Sequence, residues 1–291
     1  MTLIELSSAL RRVLMAASLV LGSASADAAT ITRPAVLPRV AELAPQDLAT
    51  ADPVEVSTAF VDQVIHDLPV QAYLDYFRRL DPEQLQQRLD TQERQLAFWI
   101  NVYNGYTQHF LKHDPSAYLK NRSAYFSKDQ IDIAGDRVSL EDIEHGVLRR
   151  GATIYTLGHV RTLFLRRPFV RRFAVNAVDY RIHFALNCGA RSCPPVMPYT
   201  AQAINQQLEA GSRDYLQREV RYDAGKDTVA VPALLRWFSA DFEGGSQQAK
   251  RDILHRYGLI PADAEPDIEY LDYDWTLRIE NYAVFASSAA P

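Results

Sequence analysis

Apolar residues recur at helical spacing through the first half of the chain. The segments VSTAFVDQVIHDL and VQAYLDYFRRL, within residues 56–80, have the period of helices that pack one face on a core. Asp81–Pro82 interrupts this pattern. Two further helices follow, PEQLQQRL and TQERQLAFWINVYNGYTQHFLK, the second with Thr91 as its N-cap. Residues 27–55 show no sustained period and predict an extended N-terminal arm.

The pattern changes after residue 128, where short apolar runs alternate with turn residues. QIDIAGDRVSL predicts a hairpin with Gly135–Asp136 at its turn, and the S-x-x-D sequence from Ser139 predicts the start of the helix LEDIEHGVLRR. RIHFALN, residues 181–187, is short and apolar between turn residues, which predicts a buried strand. The remaining predicted elements are a helix over 200–220, the hairpin VRYDAGKDTVAV, the helices PALLRWFSADF and SQQAKRDILHRYG, and a strand in IEYLDYDWTLRI.

These elements predict an α+β fold in which a helical N-terminal half packs on a small, mostly antiparallel sheet. We expect a single globular domain over residues 56–280, followed by a C-terminal tail, residues 281–291. The order of helices before sheet is loosely similar to cysteine-peptidase-like folds. In the common version of those folds, however, the cysteine begins the core helix and the histidine follows on the sheet.

The first residues have the composition of a secretory signal peptide. Arg11 and Arg12 precede the apolar run VLMAASLVLG, and the small residues SASADA follow, which predicts cleavage near Ala26. No later segment reaches the length of about 20 apolar residues that a membrane span needs. We therefore expect residues 1–26 to be removed and the protein to be periplasmic or secreted, without an integral membrane segment.

The net charge of the chain and its lack of known cofactor motifs limit the ligands and partners that the sequence predicts. The net charge is −5, which does not indicate a nucleic-acid partner. One basic cluster, RTLFLRRPFVRRF at residues 161–173, is interleaved with apolar residues and fits either contact with an anionic surface or an ordinary solvated basic face. The chain has no G-x-S-x-G, P-loop or G-x-G-x-x-G motif, so we expect no nucleotide cofactor. It also has no second C-x-x-C pair and no H-E-x-x-H, so we expect no bound metal.

Amide side chains form a stripe on the most apolar predicted helix. Asn101, Asn104 and Gln108 stand at i, i+3 and i+7 in a segment whose other residues are nearly all apolar. A buried amide without partners costs about 1–3 kcal/mol, so this stripe needs hydrogen bonds. It either lines a site and clamps a loop, or belongs to a core network that fixes a backbone turn.

Two histidines lie where core residues are expected. Glu144 and His145 are adjacent and point about 100° apart on a helix, whereas His145 and Arg149 share a face. Either Glu144 or His145 therefore lies near the edge of the core. His183 is in the middle of the predicted buried strand. Each histidine is a candidate acid–base or ligand-binding residue, or a core residue whose hydrogen bonds are satisfied.

The same segments carry a family resemblance. WINVYN, SLEDIEHGVLRR and HFALNCGARSCPP, in that order, resemble the signature blocks of the family catalogued as domain of unknown function 547. The IDIAG hairpin and the later LLRWFSADF extend the similarity over residues 96–242. The resemblance implies a globular α+β domain without an agreed activity, found in exported bacterial proteins and multidomain plant proteins. It also implies that Cys188 is more constant than Cys193 and that His145 varies among plant members.

Cys188 and Cys193, the two cysteines of the chain, allow four interpretations. An exported protein with two nearby thiols forms a disulfide where geometry permits, and this bridge would rigidify the turn before Pro194–Pro195. Alternatively, one thiol is a nucleophile activated by His145 or His183. A C-x4-C pair with a histidine is at the loose edge of zinc-site spacing. Inert packing of two small apolar side chains is the fourth interpretation.

Functions of different classes follow from these interpretations. The first is a thiol-dependent hydrolase or acyl transferase acting on a periplasmic amide or ester. Its candidate catalytic residues are Cys188, His145, Glu144, His183 and Asn101. Further candidate ligand-binding residues are Asn104, Cys193 and Arg149. The alternative is a non-catalytic module that binds a small molecule, a peptide or a cell-envelope ligand and is braced by a Cys188–Cys193 disulfide. A metal-dependent enzyme is the third class.

Overall fold

The periodic apolar segments of the first half fold as helices. The structure is a computed structural model that describes residues 30–286, so the predicted signal peptide lies outside the described residues. The side chains of Asp52, Asp81 and Thr91 accept hydrogen bonds from backbone N–H groups in the first turns of three helices, as N-caps do. The helices of this half are Pro53–Ile65 (α1), Gln71–Arg79 (α2), Pro82–Arg88 (α3), Gln92–His113 (α4), Ser116–Lys120 (α5) and Arg122–Ser127 (α6).

Helix α4 runs through the larger core because it is apolar on nearly every side. Every residue from 96 to 108 is buried. Helix α1 packs along α4 so closely that a Cβ on Gly105 would lie 2.4 Å from a ring carbon of Phe60. Gly105 is therefore explained by this close approach, which outweighs the poor helix propensity of glycine.

The strands of the described chain form three small sheets. Thr30–Thr32 (β1) pairs antiparallel with Val284–Ala286 (β7), which joins the two ends of the described chain. Ile131–Ile133 (β2) and Asp136–Val138 (β3) form the predicted hairpin. Arg221–Asp223 (β4) pairs antiparallel with Thr228–Val231 (β5), and β5 pairs parallel with Asp267–Tyr270 (β6). The α+β class is confirmed, with the strands distributed among several sheets.

The remaining helices follow the predicted order with shorter bounds. The helix predicted over 200–220 spans Ile204–Glu219, and the helix that was expected to stop at Gly258 ends two residues earlier, with Gly258 at a φ of +67°. A π-helix spans Asp142–Leu148. The α-helices are Pro168–Phe173 (α7), Ile204–Glu219 (α8), Leu234–Trp237 (α9) and Gln247–Arg256 (α10). The 3-10 turns are Ile154–Thr156, Leu163–Leu165, Tyr180–Phe184 and Ser239–Asp241.

The predicted strand RIHFALN is wrong, because Tyr180–Phe184 is a 3-10 turn. The Asp179 carboxylate caps it by accepting a hydrogen bond from the Arg181 N–H at 3.0 Å. This turn packs against α8, and Ile182 belongs to the larger core around α4. Phe184 belongs instead to a second core formed with α8, β5 and α10. The periodicity of a short buried apolar run cannot distinguish a strand from a helix. Tertiary packing therefore determines the conformation of this segment.

The predicted strand IEYLDYDWTLRI is correct only in its first part. Strand β6 ends at Tyr270, and the chain then continues without regular structure beside the cysteine loop, residues 187–195. The backbone N–H of Arg191 donates to the carbonyl of Thr276 at 2.8 Å, and that of Arg278 donates to Gly189 at 2.8 Å. These bonds replace the ladder that a longer strand would have made. No helix within residues 30–286 is long and apolar enough to cross a bilayer.

Candidate functional site

A cleft of about 760 Å³ lies beside the 3-10 turn Tyr180–Phe184, whose residues belong to both cores. Helix α4 contributes Tyr103 to its wall, and the π-helix contributes Glu144 and His145. The 3-10 turn contributes His183, and the cysteine loop contributes Cys188. Glu144, His145, His183 and Cys188, all predicted from the sequence as site residues, therefore line one cleft although they come from three separate segments.

The π-helix positions Glu144 and His145. The Ser139 hydroxyl accepts a hydrogen bond from the Asp142 N–H at 3.0 Å, and the Asp142 carboxylate accepts from the Ser139 N–H at 3.1 Å, which confirms the predicted S-x-x-D start. Gly146 faces α7, where a Cβ would lie 2.9 Å from the side chain of Val170. This close contact holds the helix against α7 and turns its polar residues toward the cleft.

Glu144 is held by a tyrosine that sequence reasoning did not identify. The Tyr103 hydroxyl donates to Glu144 Oε2 at 2.8 Å. Burial, and then the charge of Glu144, raises the pKa of Tyr103 well above its usual value, so Tyr103 remains a hydrogen-bond donor. The imidazole of His145 is 3.7 Å from Glu144 Oε1, beyond hydrogen-bonding distance. Glu144 therefore does not orient His145 by a hydrogen bond.

His145 is a neutral imidazole whose tautomer is set by Arg149. The guanidinium of Arg149 can only donate, and its Nη1 lies 3.1 Å from His145 Nδ1, so Nδ1 accepts and Nε2 carries the proton. Burial lowers the pKa of His145 to about 4. His145 therefore presents an N–H donor at neutral pH and has no free nitrogen with which to accept a proton.

His183 has the opposite arrangement. Its Nε2 lies 3.0 Å from Asp241 Oδ2, and the ring stacks on Phe238 with centroids 4.1 Å apart. Burial acts to raise the pKa of Asp241, but the hydrogen bonds from His183 and Arg149 and the positive charge of Arg149 lower it to about 2. An ionised Asp241 accepts the Nε2 proton, so Nδ1 is the nitrogen of His183 that can accept a proton. Burial lowers the pKa of His183.

Arg149 and Asp241 form a buried ion pair behind the cleft. Arg149 Nε donates to Asp241 Oδ2 at 2.5 Å with both side chains fully buried, and Arg161 Nη2 donates to Asp241 Oδ1 at 3.0 Å. Asp241 thus links His183 to Arg149, and Arg149 links Asp241 to His145. The sequence predicts Arg149 as a ligand-binding residue, but its side chain bonds to His145 and to Asp241 and does not line the cleft.

The two thiols share one hydroxyl group. Cys188 Sγ and Cys193 Sγ lie 3.4 Å and 3.1 Å from the hydroxyl oxygen of Tyr273, and the Cys188 N–H donates to Cys193 Sγ at 3.1 Å. Both cysteines are free thiols, with Cys193 buried and Cys188 partly exposed in the cleft. The hydrogen bond from the Cys193 thiol lowers the pKa of Cys188, whereas burial raises the pKa of Cys193.

The predicted Cys–His dyad is not a direct contact. Across the described part of the chain, no hydrogen bond joins Cys188 or Cys193 to an imidazole; the sulfur atoms contact each other's residues and Tyr273. His145 and His183 are instead connected through Arg149 and Asp241. The cleft therefore has a thiol end and a histidine end, with Glu144 also on its wall.

The amide stripe of α4 clamps the cysteine loop. The Asn104 side chain donates to the carbonyl of Ala185 at 2.9 Å and accepts from the N–H of Asn187 at 2.8 Å. Gln108 donates to Asn187 Oδ1 at 3.0 Å, and Asn187 donates in turn to the carbonyl of Pro194. Both ends of the Asn104 amide therefore hold this segment of backbone, and Asn104 does not line the cleft. It has no amide group free to stabilise an oxyanion there.

Asn101, predicted as a catalytic residue, lies away from the cleft. Its Oδ1 accepts from the N–H of Tyr199 at 2.9 Å, and its Nδ2 donates to the carbonyl of Tyr199 at 2.8 Å. The hydroxyl groups of Ser57 and Thr58 on α1 complete its surroundings. Asn101 thus fixes a backbone segment to the α1–α4 pair, which is the core-network interpretation of the stripe.

Aromatic residues that the sequence analysis did not identify form one wall of the cleft. Trp237 and Trp275 stack with ring centroids 5.7 Å apart, and Tyr273 lies 4.6 Å from Trp275. The guanidinium of Arg122 lies 4.5 Å from the Trp275 ring. These rings come from α9 and from the irregular segment after β6. The only available signals were Trp237 and Asp241 in LLRWFSADF, a block noted for its family similarity and not for its chemistry.

No group of three or more His, Cys, Asp or Glu side chains within residues 30–286 has the arrangement of a metal site. In a comparison with protein families, the model described as "Protein of unknown function, DUF547" matches residues 86–216. This range contains WINVYN, the π-helix and the whole cysteine loop, and it ends before Trp237, Asp241 and Tyr273. No curated protein and no solved structure matches the chain.

Proposed function

The chain belongs to the DUF547 family, whose function is unknown, and from the geometry of the cleft we propose that it is a thiol-dependent hydrolase or acyl transferase. The observation that carries this proposal is the position of the Cys188 thiol. It is partly exposed on the wall of a cleft that also holds Glu144, His145 and His183, and a second thiol and a tyrosine hydroxyl hydrogen-bond to it. These neighbours favour the thiolate, which is the nucleophilic form.

We assign the role of general base to His183. Its Nδ1 can accept a proton because Asp241 holds the proton on Nε2, an arrangement that orients a catalytic imidazole. His145 is suited to the opposite role, since its Nε2–H can donate to an oxyanion. Substrate or water fills the space between His183 and Cys188, and hydrogen bonds of this kind are often long in a free enzyme.

The reaction balances as an acyl transfer. The Cys188 thiol gives its proton to His183, and the sulfur forms a bond to the carbonyl carbon of an amide or ester. Breakage of the C–N or C–O bond expels the amine or alcohol, which takes the proton from His183. Water then cleaves the thioester to give a carboxylic acid and to restore the thiol. A second amine or alcohol in place of water would make the protein an acyl transferase.

Two readouts test this role of Cys188. We expect iodoacetamide to label Cys188 at pH 7 faster than Cys193, and we expect turnover of p-nitrophenyl esters or a panel of acyl amides by wild-type protein. Cys188→Ala should abolish both, and Asp241→Asn should reduce turnover at least about 100-fold because it disturbs the His183 tautomer. Cys193→Ser is the matched control, since it keeps the exposed thiol. Full turnover by Cys188→Ala would refute the proposal.

A second candidate function, a non-catalytic ligand-binding module, is favoured by a different observation. Neither thiol contacts an imidazole, and each is close to the same Tyr273 hydroxyl, so the cysteines are also placed to brace their loop. In this case the aromatic wall of Trp237, Tyr273 and Trp275 supplies the ligand contacts. Thermal shift against cell-wall fragments, peptides and small acids tests this function: ligand binding by wild type and Cys188→Ala alike, with no turnover by wild type, would favour the binding module.

We also propose that the protein is exported to the periplasm or secreted. Support comes from the basic, apolar and small-residue segments in residues 1–26. Intact mass of the protein recovered from cell fractions tests this: cleavage near Ala26 and recovery outside the cytoplasm are expected. Recovery of the uncleaved chain in the cytoplasm alone would contradict it.

A further inference from the structure

Residues 146–178 carry a concentration of positive charge that contrasts with the rest of the chain. No Asp or Glu occurs between His145 and Asp179, although the chain as a whole has a net charge of −5. Arg149 and Arg150 are bonded inside the protein, which leaves Arg161, Arg166, Arg167, Arg171 and Arg172 as the arginines of this stretch nearer the surface. A local excess of cationic groups on an acidic protein indicates an anionic partner at this surface.

The same stretch exposes large apolar side chains. Tyr155 is 93% exposed, and Phe164 and Leu165 are 71% and 72% exposed. Six of the ten large hydrophobic residues that are exposed in the described chain fall between residues 154 and 165. They are Ile154, Tyr155, Leu157, Val160, Phe164 and Leu165. Single exposed apolar residues need no explanation, but such a concentration marks an interaction surface.

Backbone hydrogen bonds fix the conformation of this segment. We call residues 151–172 the docking loop. The N–H of Thr153 donates to the carbonyl of Val160 at 3.0 Å, and the N–H of Thr162 donates to that of Gly151 at 3.0 Å, which closes the base of the loop. The guanidinium of Arg171 donates to the carbonyl of Phe164 at 3.2 Å. This bond keeps the basic α7 beside the apolar turn Leu163–Leu165.

Two arginines of the docking loop are available to an external anion. Arg161 pairs with Asp241, and Arg167 pairs with Asp129 and Asp142, so the protein already neutralises these charges. Arg171 and Arg172 are exposed and form no ion pair with any residue in 30–286. The docking loop therefore carries exposed apolar side chains on its turns and unpaired arginines at its C-terminal end, in α7.

The docking loop also borders the cleft. Ile154, Tyr155 and Leu157 line the cleft wall as well as being exposed, and so does Leu119, which is 65% exposed. The mouth of the cleft and the apolar tips thus belong to one continuous surface. Whatever covers the docking loop also lies next to the opening through which a ligand enters.

We propose that the docking loop binds the surface of an anionic phospholipid bilayer and places the mouth of the cleft at that surface. Tyr155, Phe164 and Leu165 would enter the boundary between headgroups and acyl chains, where apolar and aromatic side chains of peripheral proteins are stable. Arg171 and Arg172 would remain among the anionic headgroups. Exposed apolar side chains next to unpaired arginines are the combination that binds an anionic membrane surface, which favours a bilayer over a protein partner.

Vesicle co-sedimentation tests the proposal without any turnover, so its outcome is independent of the thiol chemistry. The full chain is mixed with phosphatidylglycerol–phosphatidylcholine vesicles or with pure phosphatidylcholine vesicles. We expect binding to the anionic vesicles that weakens as salt rises, and little binding to the neutral ones. Arg171→Gln/Arg172→Gln should weaken binding by on the order of fivefold for each charge removed. Tyr155→Ser/Phe164→Ser/Leu165→Ser should abolish it.

Matched variants control for general effects of composition. Val36→Ser/Val40→Ser/Leu68→Ser removes three exposed apolar residues elsewhere, and Arg78→Gln/Arg191→Gln removes two exposed arginines elsewhere. Both should bind like wild type, and all the variants share residues 1–29, so any contribution from those residues cancels. Circular dichroism checks that each variant is folded.

Three results would overturn the proposal. The first is equal sedimentation with anionic and neutral vesicles, and the second is wild-type binding by the triple docking-loop variant. The third is self-association in sedimentation velocity that the triple variant abolishes, without any vesicle binding by wild type. This third result would assign the docking loop to a contact between two copies of the chain.

Discussion

Two groups of polar residues meet around helix α4, and they differ in their hydrogen-bond partners. The amide stripe of Asn101, Asn104 and Gln108 bonds to backbone groups, to one further amide and to hydroxyl groups, all of them uncharged. The cleft group of Glu144, His145, His183 and Cys188 bonds to other side chains, namely Tyr103, Arg149, Asp241 and Tyr273. The first group fixes the fold, and the second sets protonation states.

This difference shows how a structural polar network can be separated from a functional one. Backbone, amide and hydroxyl partners of this kind remain uncharged, so an amide that bonds only to them has no chemical role beyond positioning. Side-chain partners that titrate or carry charge do shift pKa values. Burial and the charge of Arg149 lower the pKa of His145, whereas the hydrogen bond from Cys193 lowers the pKa of Cys188 against the effect of burial. Perturbed groups beside a cleft are the usual mark of a functional site.

The largest expected effect is the loss of the buried cation behind the cleft. Arg149→Met leaves the Asp241 carboxylate buried with only the partly exposed Arg161 and His183, and we expect the free energy of unfolding to fall by about 3–5 kcal/mol. Urea denaturation measures this. Arg149→Met/Asp241→Leu removes both charges and should recover most of the loss; a double variant as unstable as the single one would contradict the ion-pair explanation.

Removal of the clamp under the cysteine loop should have the next largest effect. Asn104→Ala leaves the carbonyl of Ala185 and the N–H of Asn187 buried without partners, so we expect a loss of about 2–4 kcal/mol in the free energy of unfolding. Asn205→Ala, at an exposed position, is the control and should change stability by less than about 0.5 kcal/mol. Equal values for the two variants would mean that the amide stripe does not support the loop.

The protonation of His145 should make stability depend on pH. Its pKa is about 4 in the folded protein and about 6.5 when unfolded, so the unfolded chain binds more protons between these values. Stability is therefore full above pH 6.5 and falls as the pH is lowered toward 4, by about 2 kcal/mol between pH 7.5 and pH 5. The lowered pKa of His183 adds a change of the same sign.

Urea denaturation at a series of pH values measures this dependence. His145→Asn should reduce the slope between pH 5 and pH 7 without removing it, because His183 remains. A wild-type slope that His145→Asn leaves unchanged would show that His145 is not the neutral residue that its contact with Arg149 indicates.

Substitution of Cys188 should have the smallest effect on stability, although it should have the largest effect on the proposed catalysis. Cys188→Ser should change the free energy of unfolding by less than about 1 kcal/mol, because the side chain is partly exposed and similar in size. Titration of free thiols without reductant should find two in the denatured protein, with Cys188 about ten times more reactive in the native state. A mass two hydrogens lighter and no free thiol would favour the braced binding module.

Local sequence patterns determined most of the helices and several of their N-terminal limits. Thr91 caps α4, Ser139 and Asp142 begin the π-helix, and the hairpins at 131–138 and 221–231 lie where they were predicted. The α+β class followed from the change in period after residue 128. Turns and caps depend on near neighbours in sequence, so their chemistry can be read from a few residues.

Tertiary structure decided the roles of the polar residues. The sequence identified Glu144, His145, His183 and Cys188, but not that Asp241 and Arg149 join the two histidines or that Tyr273 joins the two thiols. Apart from the i,i+4 pair of His145 and Arg149, these partners are separated by 58 to 92 positions along the chain, and no local period relates them. Whether an amide holds a loop or lines a cleft depends on which distant groups the fold brings within hydrogen-bonding distance.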